Sequence, residues 1–379
     1  MNIALLRSNP VAPDPRIEKE ATTLVKAGHT VYVVCWDRTK QLPITESMPL
    51  KEGSATIFRG GPQCNFGGGI SNIFKLIRFQ IYLITWLFSH RQKIDAIHAA
   101  DFDTAIPAWG IAKLFNKHFI YDIYDYYVDA FNVPRKLKSF IETIDIKLIN
   151  AADAAIITNE SRIAQLKKSN PKQLLILHNS PPSRPLTDKQ EANARPTFAY
   201  IGVLTPDRLL IEIMSVFSKR QDWDLHIAGF GPLETEIRAY SEQYSNITFH
   251  GRVSYETSLS LSAQADILFA TYDPRVPNHK FSSPNKLYEA MLLAKPLIVC
   301  NGTGIDDLVR EELIGLSIPY DALAFESAAD ELMKDDSRRE SMGTRAHSLF
   351  NARYSWDIME KRLTLLYESL APAKRPSLE

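Results

Sequence analysis

The first 36 residues already restrict the fold, because they alternate strand, helix and strand. Residues 2–7 are a short apolar run. Ile17, Ala21, Leu24 and Val25 then recur at helical spacing until Gly28 stops the pattern, and residues 30–35 are rich in β-branched side chains. A strand–helix–strand unit this short closes as a right-handed crossover between parallel strands, so the chain reads as α/β with a parallel sheet.

The alternation continues. Residues 96–98, 118–122, 154–158 and 174–177 read as strands, with helices over 104–115 and after Pro134. Pro181, Pro182, Pro185 and Pro196 punctuate a stretch of low apolar content, which predicts a linker over 181–196. A second alternation starts at once, with strands expected at 197–201, 224–228, 247–250, 266–270 and 297–300, and a helix over 356–370. At about 150 residues per domain, 379 residues make two. The expected division is an N-terminal domain, 1–180, and a C-terminal domain, 197–355. In open parallel sheets ligands bind beyond the carboxyl ends of the strands, so the loops there and a cleft between the domains are where function is expected.

Composition excludes several classes. Hydrophobic residues at 45% and charged residues at 23% argue against disorder and fibrous repeats. The three cysteines, Cys35, Cys64 and Cys300, lack metal-ligand spacing and suit a reducing compartment. The opening apolar run is too short for a signal peptide, and no spanning helix is expected, so the expected location is cytoplasmic. Net charge is zero, yet residues 1–185 carry 23 basic and 16 acidic side chains, net +7, and the remainder is net −7. A basic first half could face an anionic membrane or a phospholipid-linked substrate, or simply reflect uneven surface decoration.

The segment 281–291, Phe-Ser-Ser-Pro-Asn-Lys-Leu-Tyr-Glu-Ala-Met, carries the clearest chemistry. Ser283 is expected to cap a helix with Pro284 in its first position, leaving N–H groups to receive an anion. Lys286 opposes the helix dipole there, which makes sense beside a bound diphosphate. Glu289, one turn on, could accept from a ribose diol. The plain alternative is a surface Lys–Glu pair.

Extended through residues 293–298, Leu-Ala-Lys-Pro-Leu-Ile, this segment resembles the signature helix of retaining glycosyltransferases of family 4 (group 1), which have the GT-B fold: two Rossmann-like domains with a nucleotide-sugar donor in the cleft. Tyr200-Ile201-Gly202 with residues 205–208, then residues 227–232, and then Phe249-His250-Gly251-Arg252-Val253 resemble the family's first C-domain loops. Pro13-Asp14-Pro15-Arg16 with Glu20 and Gly28-His29 resembles its first helix and second strand, and 356–370 the helix that crosses back to the first domain. The resemblance implies donor contacts from Gly202, Arg208, Arg252, Val253, Ser282, Ser283, Asn285, Lys286 and Glu289. Arg208 and Lys286 would neutralise the diphosphate leaving group without a metal or other cofactor. Three positions depart from the pattern: Phe281 stands where the first of two glutamates would contact the sugar, Val203 replaces an arginine, and Arg208 replaces a lysine.

In the first half, residues 121–129 follow an apolar strand and hold three aspartates among aromatics. Many relatives carry Tyr-Asp-x-His-Glu there, with Tyr124 and Asp125 in place of His-Glu. Asp14, Arg16, Asp101, Asp122, Tyr124 and Asp125 are therefore expected to face an acceptor, and Asp125 could act as base if the enzyme inverts configuration. Helix capping is the plain alternative for Asp122 and Asp125. His98 and Asp101, after an earlier strand, are similarly placed but carry a weaker signal.

The implied activity is transfer of a sugar from a nucleoside diphosphate donor, UDP before GDP, to a saccharide or lipid-linked acceptor in bacterial surface polysaccharide or glycolipid synthesis. A non-catalytic GT-B subunit and a sugar-nucleotide epimerase are the rivals. Residues 70–91 combine apolar and aromatic residues with Lys75 and Arg78, a pattern that suits either core packing or an anionic bilayer at the inner face of the cell membrane. Gly67-Gly68-Gly69 lacks a Walker lysine and reads as a loop, and neither Asp306-Asp307 nor Asp335-Asp336 forms a metal pattern. No nucleic-acid partner is expected.

Overall fold

Two sheets organise the residues that the computed structural model describes, 1–64, 72–131, 133–185 and 193–371. They belong to separate units: Met1–His178 with Met359–Glu379, and Asn179–Ile358. The triple glycine lies outside the described residues, as does part of the Pro-rich stretch.

The first unit starts with β1 (Asn2–Arg7), α1 (Pro15–Lys26) and β2 (Thr30–Trp36), and the two strands pair in parallel. Asp14 caps α1 by accepting from the Arg16 and Ile17 amides, and Pro15, whose missing N–H costs nothing there, opens the helix. Next come β3 (Thr45–Pro49) and β4 (Ser54–Gly60), a pair with no counterpart in the sequence reading. β3 is polar, ends on a proline and runs antiparallel to β4 at the sheet edge, where few apolar residues are needed. The unit continues through α2 (Ile73–His90), β5 (Ala96–Ala100), α3 (Phe102–Phe115), β6 (His118–Ile123), α4 (Tyr127–Ala130), α5 (Arg135–Ala151), β7 (Ala154–Ile157) and β8 (Leu174–Ile176). The strand order is β3-β4-β2-β1-β5-β6-β7-β8, and α3 packs against both α2 and α5.

The second unit alternates more strictly: β9 (Thr197–Val203), α6 (Leu210–Phe217), β10 (Asp224–Phe230), α7 (Glu234–Gln243), β11 (Ile247–Phe249), α8 (Tyr255–Gln264), β12 (Ile267–Ala270), α9 (Asn285–Leu292), β13 (Leu297–Cys300), α10 (Asp306–Glu311), β14 (Gly315–Ile318), α11 (Ala322–Met333) and α12 (Asp336–Leu349). Its strands are parallel, in the order β11-β10-β9-β12-β13-β14. The short β14, opened by glycine, escaped the sequence reading. α13 (Trp356–Leu370) begins in this unit, and from Met359 it belongs to the first, where Met359, Leu363 and Tyr367 are buried.

Both sheets reverse their strand order once. In the first unit successive strands lie on either side of the β1/β5 seam, and in the second on either side of β9/β12. Loops leaving such a seam diverge and open a crevice at the carboxyl edge.

Candidate functional site

At the β9/β12 seam the backbone comes close before any side chain acts. Gly202, one residue before the end of β9, pairs with Gly229 of β10, and a Cβ on Gly229 would stand 1.8 Å from the Gly202 carbonyl oxygen. Gly229 also has φ +147, which L side chains rarely adopt. Gly229→Ala is expected to cost about 1–3 kcal/mol in overpacking and a similar amount in backbone strain. A urea melt should show it, and an unchanged midpoint would mean the strands slide apart freely.

The space beside Gly202 belongs to Lys286. A Cβ on Gly202 would meet the Lys286 Nζ at 2.2 Å, and the ammonium lies 4.4 Å from the centre of the Tyr200 ring. Lys286 is thus no surface partner of Glu289. Burial lowers its pKa to about 8, the Glu289 charge opposes that shift, and Arg208 adds to it. Glu289 lines the same narrow pocket, with Ala199, Ile201 and Ser262, and takes a hydrogen bond from the Tyr255 hydroxyl.

The cap of α9 differs from expectation. Pro284 occupies the cap position itself, with extended φ −71 and ψ 142, and makes no side-chain cap. The Ser283 hydroxyl lies 2.9 Å from the Tyr288 hydroxyl, because the residue before a proline is driven to extended backbone and turns away from the helix end. Ser282 and Ser283 lead into the helix, and Asn285, its first residue, is exposed.

Arg208 approaches from the loop after β9. Its Nη1 donates to the Asp207 carboxylate at 2.7 Å and lies 3.1 Å from the His279 Nε2, while the guanidinium stacks 4.4 Å from the Tyr272 ring centre. The His279 Nδ1 is 2.8 Å from the Asp273 carbonyl, which can only accept, so that nitrogen carries a proton. The His279 ring, its Nε2 3.2 Å from the carboxylate, and the Arg208 charge outweigh burial and hold Asp207 well below the usual carboxylate range. His279 and Asp207 were not singled out from sequence: their roles depend on contacts with residues up to 72 positions away. Phe281 ends the short turn Pro277–Phe281 that carries His279. Farther along the edge, exposed Arg252 stacks on Phe230, 4.8 Å from the ring centre, and Val253 is half-buried beside it.

The β1/β5 seam of the first unit gathers all six residues expected there, in two layers. Arg16, Asp122 and Asp14 are buried. Arg16 donates to both Asp122 oxygens at 3.0 and 2.9 Å and to the Leu177 carbonyl at 2.9 Å, with its Nε 2.9 Å from Glu20. Burial would raise Asp122, but the Arg16 charge overrides it and holds the carboxyl down, whereas Glu20 is pushed up by burial and by the Asp122 charge. His98 lies 3.5 Å from Asp122 and 2.9 Å from the Tyr367 hydroxyl. Glu20, His98 and Asp122 have the spacing of a cation site, but Arg16 already supplies the positive charge between the carboxylates. These residues frame the loop and do not face solvent.

Asp101, Tyr124 and Asp125 form the accessible layer. Asp101 has φ 64 and ψ 165, an uncommon backbone for a non-glycine residue, and its carboxylate accepts from the Tyr124 and Asp125 amides at 3.0 and 3.3 Å. It also pairs with Arg7. Burial raises its pKa to about 6, Arg7 opposing and the Asp125 charge assisting. The Tyr124 ring lies between the Arg7 and Arg16 guanidiniums, at 4.3 and 4.5 Å. Asp125 is half exposed and bonded by the buried Arg162 at 2.8 Å. Arg7 and Arg162 were missed, because an arginine at a strand end and one in a short 3-10 helix, Glu160–Leu166, carry no local signature of a site.

Residues 195–335 match the family described as glycosyl transferases group 1. The GDP-mannose-dependent monoacylated alpha-(1-6)-phosphatidylinositol monomannoside mannosyltransferase of Corynebacterium glutamicum is 29% identical over 166 residues, 43% of each chain. The alpha-D-kanosaminyltransferase of Streptomyces kanamyceticus is 23% identical over 194 residues, 49% of this chain and 48% of the other. The matches thus span less than half the length of these relatives. Among solved structures, the sucrose-phosphate synthase of Thermosynechococcus elongatus superposes with a TM-score of 0.77 at 17% identity, covering 98% of this chain and 99% of that one. Anabaena HepE, solved with UDP and glucose, gives 0.68 at 11%, covering 97% and 100%. The fold is GT-B, two Rossmann-like parallel-sheet units.

Proposed function

We propose that this chain is a glycosyltransferase that moves a hexosyl group from a nucleoside diphosphate sugar to a hydroxyl of a saccharide or lipid-linked saccharide. The observation that carries the reading is the Lys286 ammonium, drawn into the β9/β12 seam against Gly202 with Arg208 beside it. Asp207 and Glu289 stand beside the two cations in the free protein, and a diphosphate would bring further negative charge to the same partly dry crevice, where leaving-group charge develops. In this reading the protein's own cations serve without a metal. Glu289 takes the ribose, and the loops around Gly202, Arg252 and Val253 border the nucleotide. Asp101, Tyr124 and Asp125 meet the acceptor, and half-exposed Asp125 serves as base if the enzyme inverts configuration. The work is assigned to the inner face of the cell membrane, in polysaccharide or glycolipid assembly.

A panel of nucleotide sugars in a thermal-shift assay tests the donor side. It should contain GDP-mannose, the donor in the name of the Corynebacterium glutamicum relative, and UDP-glucose as the uridine representative. A donor at 100 times its dissociation constant stabilises by about 2.7 kcal/mol. Glu289→Ala is expected to weaken that donor by about 1.5–3 kcal/mol, roughly 10- to 150-fold, with the apo melt little changed. Undiminished affinity would remove Glu289 from the ribose site.

A further inference from the structure

α2 buries Phe79, Leu83, Trp86 and Leu87 and leaves a second apolar face in solvent. At about 100° per residue, Ile73, Phe74, Ile77, Ile81, Ile84 and Phe88 fall within one arc of roughly 100° along the whole helix. All six are exposed, Phe74 at 76% and Ile81 at 56%. The stripe does not stop at the helix end. The Phe88 ring lies 5.7 Å from Phe115 of α3, next to Leu114, which is 70% exposed. A soluble surface rarely shows so continuous a patch without a use for it.

The charge around the stripe is of one sign. Between Glu52 and Asp95 the sequence has no carboxylate, whereas Lys75, Arg78, Arg91 and Lys93 lie on or just after α2. Exposed Arg78, with Thr85 and Ser89, borders one edge of the arc. Arg91 sits over the far end, its guanidinium 4.2 Å from the Phe88 ring centre and 5.5 Å from that of Phe115. This is the side-chain order of a helix lying in an anionic interface, with apolar groups below and cations at the phosphates. A second copy of the chain fits poorly, because it would bring the same cations face to face with no carboxylate on α2 to pair them. Among the described residues no helix is long and apolar enough to cross a membrane, and the buried side of α2 is committed to the core, so contact has to be tangential.

We propose that the outer face of α2, continued by Leu114, docks the first unit on an anionic lipid bilayer. The inference deepens the lipid-linked acceptor reading and draws its biological sense from it. Its test uses neither donor nor acceptor, so the two readings can fail separately. The full chain should float with vesicles of phosphatidylcholine containing about one-third phosphatidylglycerol, weakly with phosphatidylcholine alone, and less as salt screens the phosphates. Phe74→Glu with Ile81→Glu should lower the partition coefficient at least tenfold while leaving the melting temperature and donor-induced shift unchanged. Should that pair misfold, Arg78→Gln with Arg91→Gln, the two cations that flank the stripe, is the second probe, expected to abolish the preference for anionic over neutral vesicles. Absence of flotation, or flotation indifferent to both pairs, overturns the proposal. So does a wild-type dimer in sedimentation that the glutamate pair dissolves, which would assign the stripe to a second copy.

Discussion

Lys286→Met is expected to raise the melting temperature of the apo protein at neutral pH and to lower turnover by about 10²–10³, the usual cost of removing one preorganised charge from a developing anion. The two effects share a cause. The ammonium is held where burial pulls its pKa down to about 8, so at neutral pH a charge that is well solvated in the unfolded chain is unfavourable in the folded one. The sign follows from linkage: the cost is fully present below about pH 8 and fades as pH rises towards the unfolded value near 10.5. Wild-type stability should therefore improve relative to the variant across that interval. Donor affinity should move oppositely, falling above pH 8 as the neutral amine must take up a proton to meet the diphosphate. Calorimetry and single-turnover kinetics at pH 7 and 9.5 check both arms. A variant that is less stable but fully active would make Lys286 a structural residue.

Arg16→Ala should be the most damaging single change in the first unit, costing about 3–5 kcal/mol, because it strands buried Asp122 beside Glu20 without their shared cation. The pH response should separate this mechanism from simple loss of packing. In the wild type Asp122 is held low, so its contribution persists at neutral pH and is lost only as strong acid protonates it. In the variant, burial without Arg16 raises the same carboxyl, and protonating it relieves the penalty. The gap in urea midpoint should narrow between pH 7 and pH 4.5, and a constant gap would attribute the loss to the missing side-chain volume.

How much of this was legible depends on whether a signal is local. The β–α alternation, with the apolar periodicity of Ile17, Ala21 and Leu24 in α1, and the helix carrying Lys286 and Glu289 are written in consecutive residues, and they led to the right elements. The cap of α9 misled because Ser-Pro satisfies two start rules at once, and only the tertiary partner Tyr288 shows where the Ser283 hydroxyl goes. The β3–β4 pair was missed because an edge strand needs few apolar residues. Arg7, Arg162 and His279 were missed because the partners that bring them to the site, Asp101, Asp125 and Arg208, lie at least 37 positions away, although Arg7 also pairs with nearby Asp14.

The path of the chain through its two units bears on synthesis. The first unit is interrupted: the sheet is finished by β8, yet Met359, Leu363 and Tyr367, which complete its interior and reach His98, follow the whole of the second unit. A ribosome therefore releases an unfinished first unit with its α13 docking surface still bare, while the second, uninterrupted from Asn179 to Ile358, can close on its own. The first to emerge is thus the last to be completed, and during that interval its uncovered apolar surface is the part of the nascent chain most in need of a chaperone.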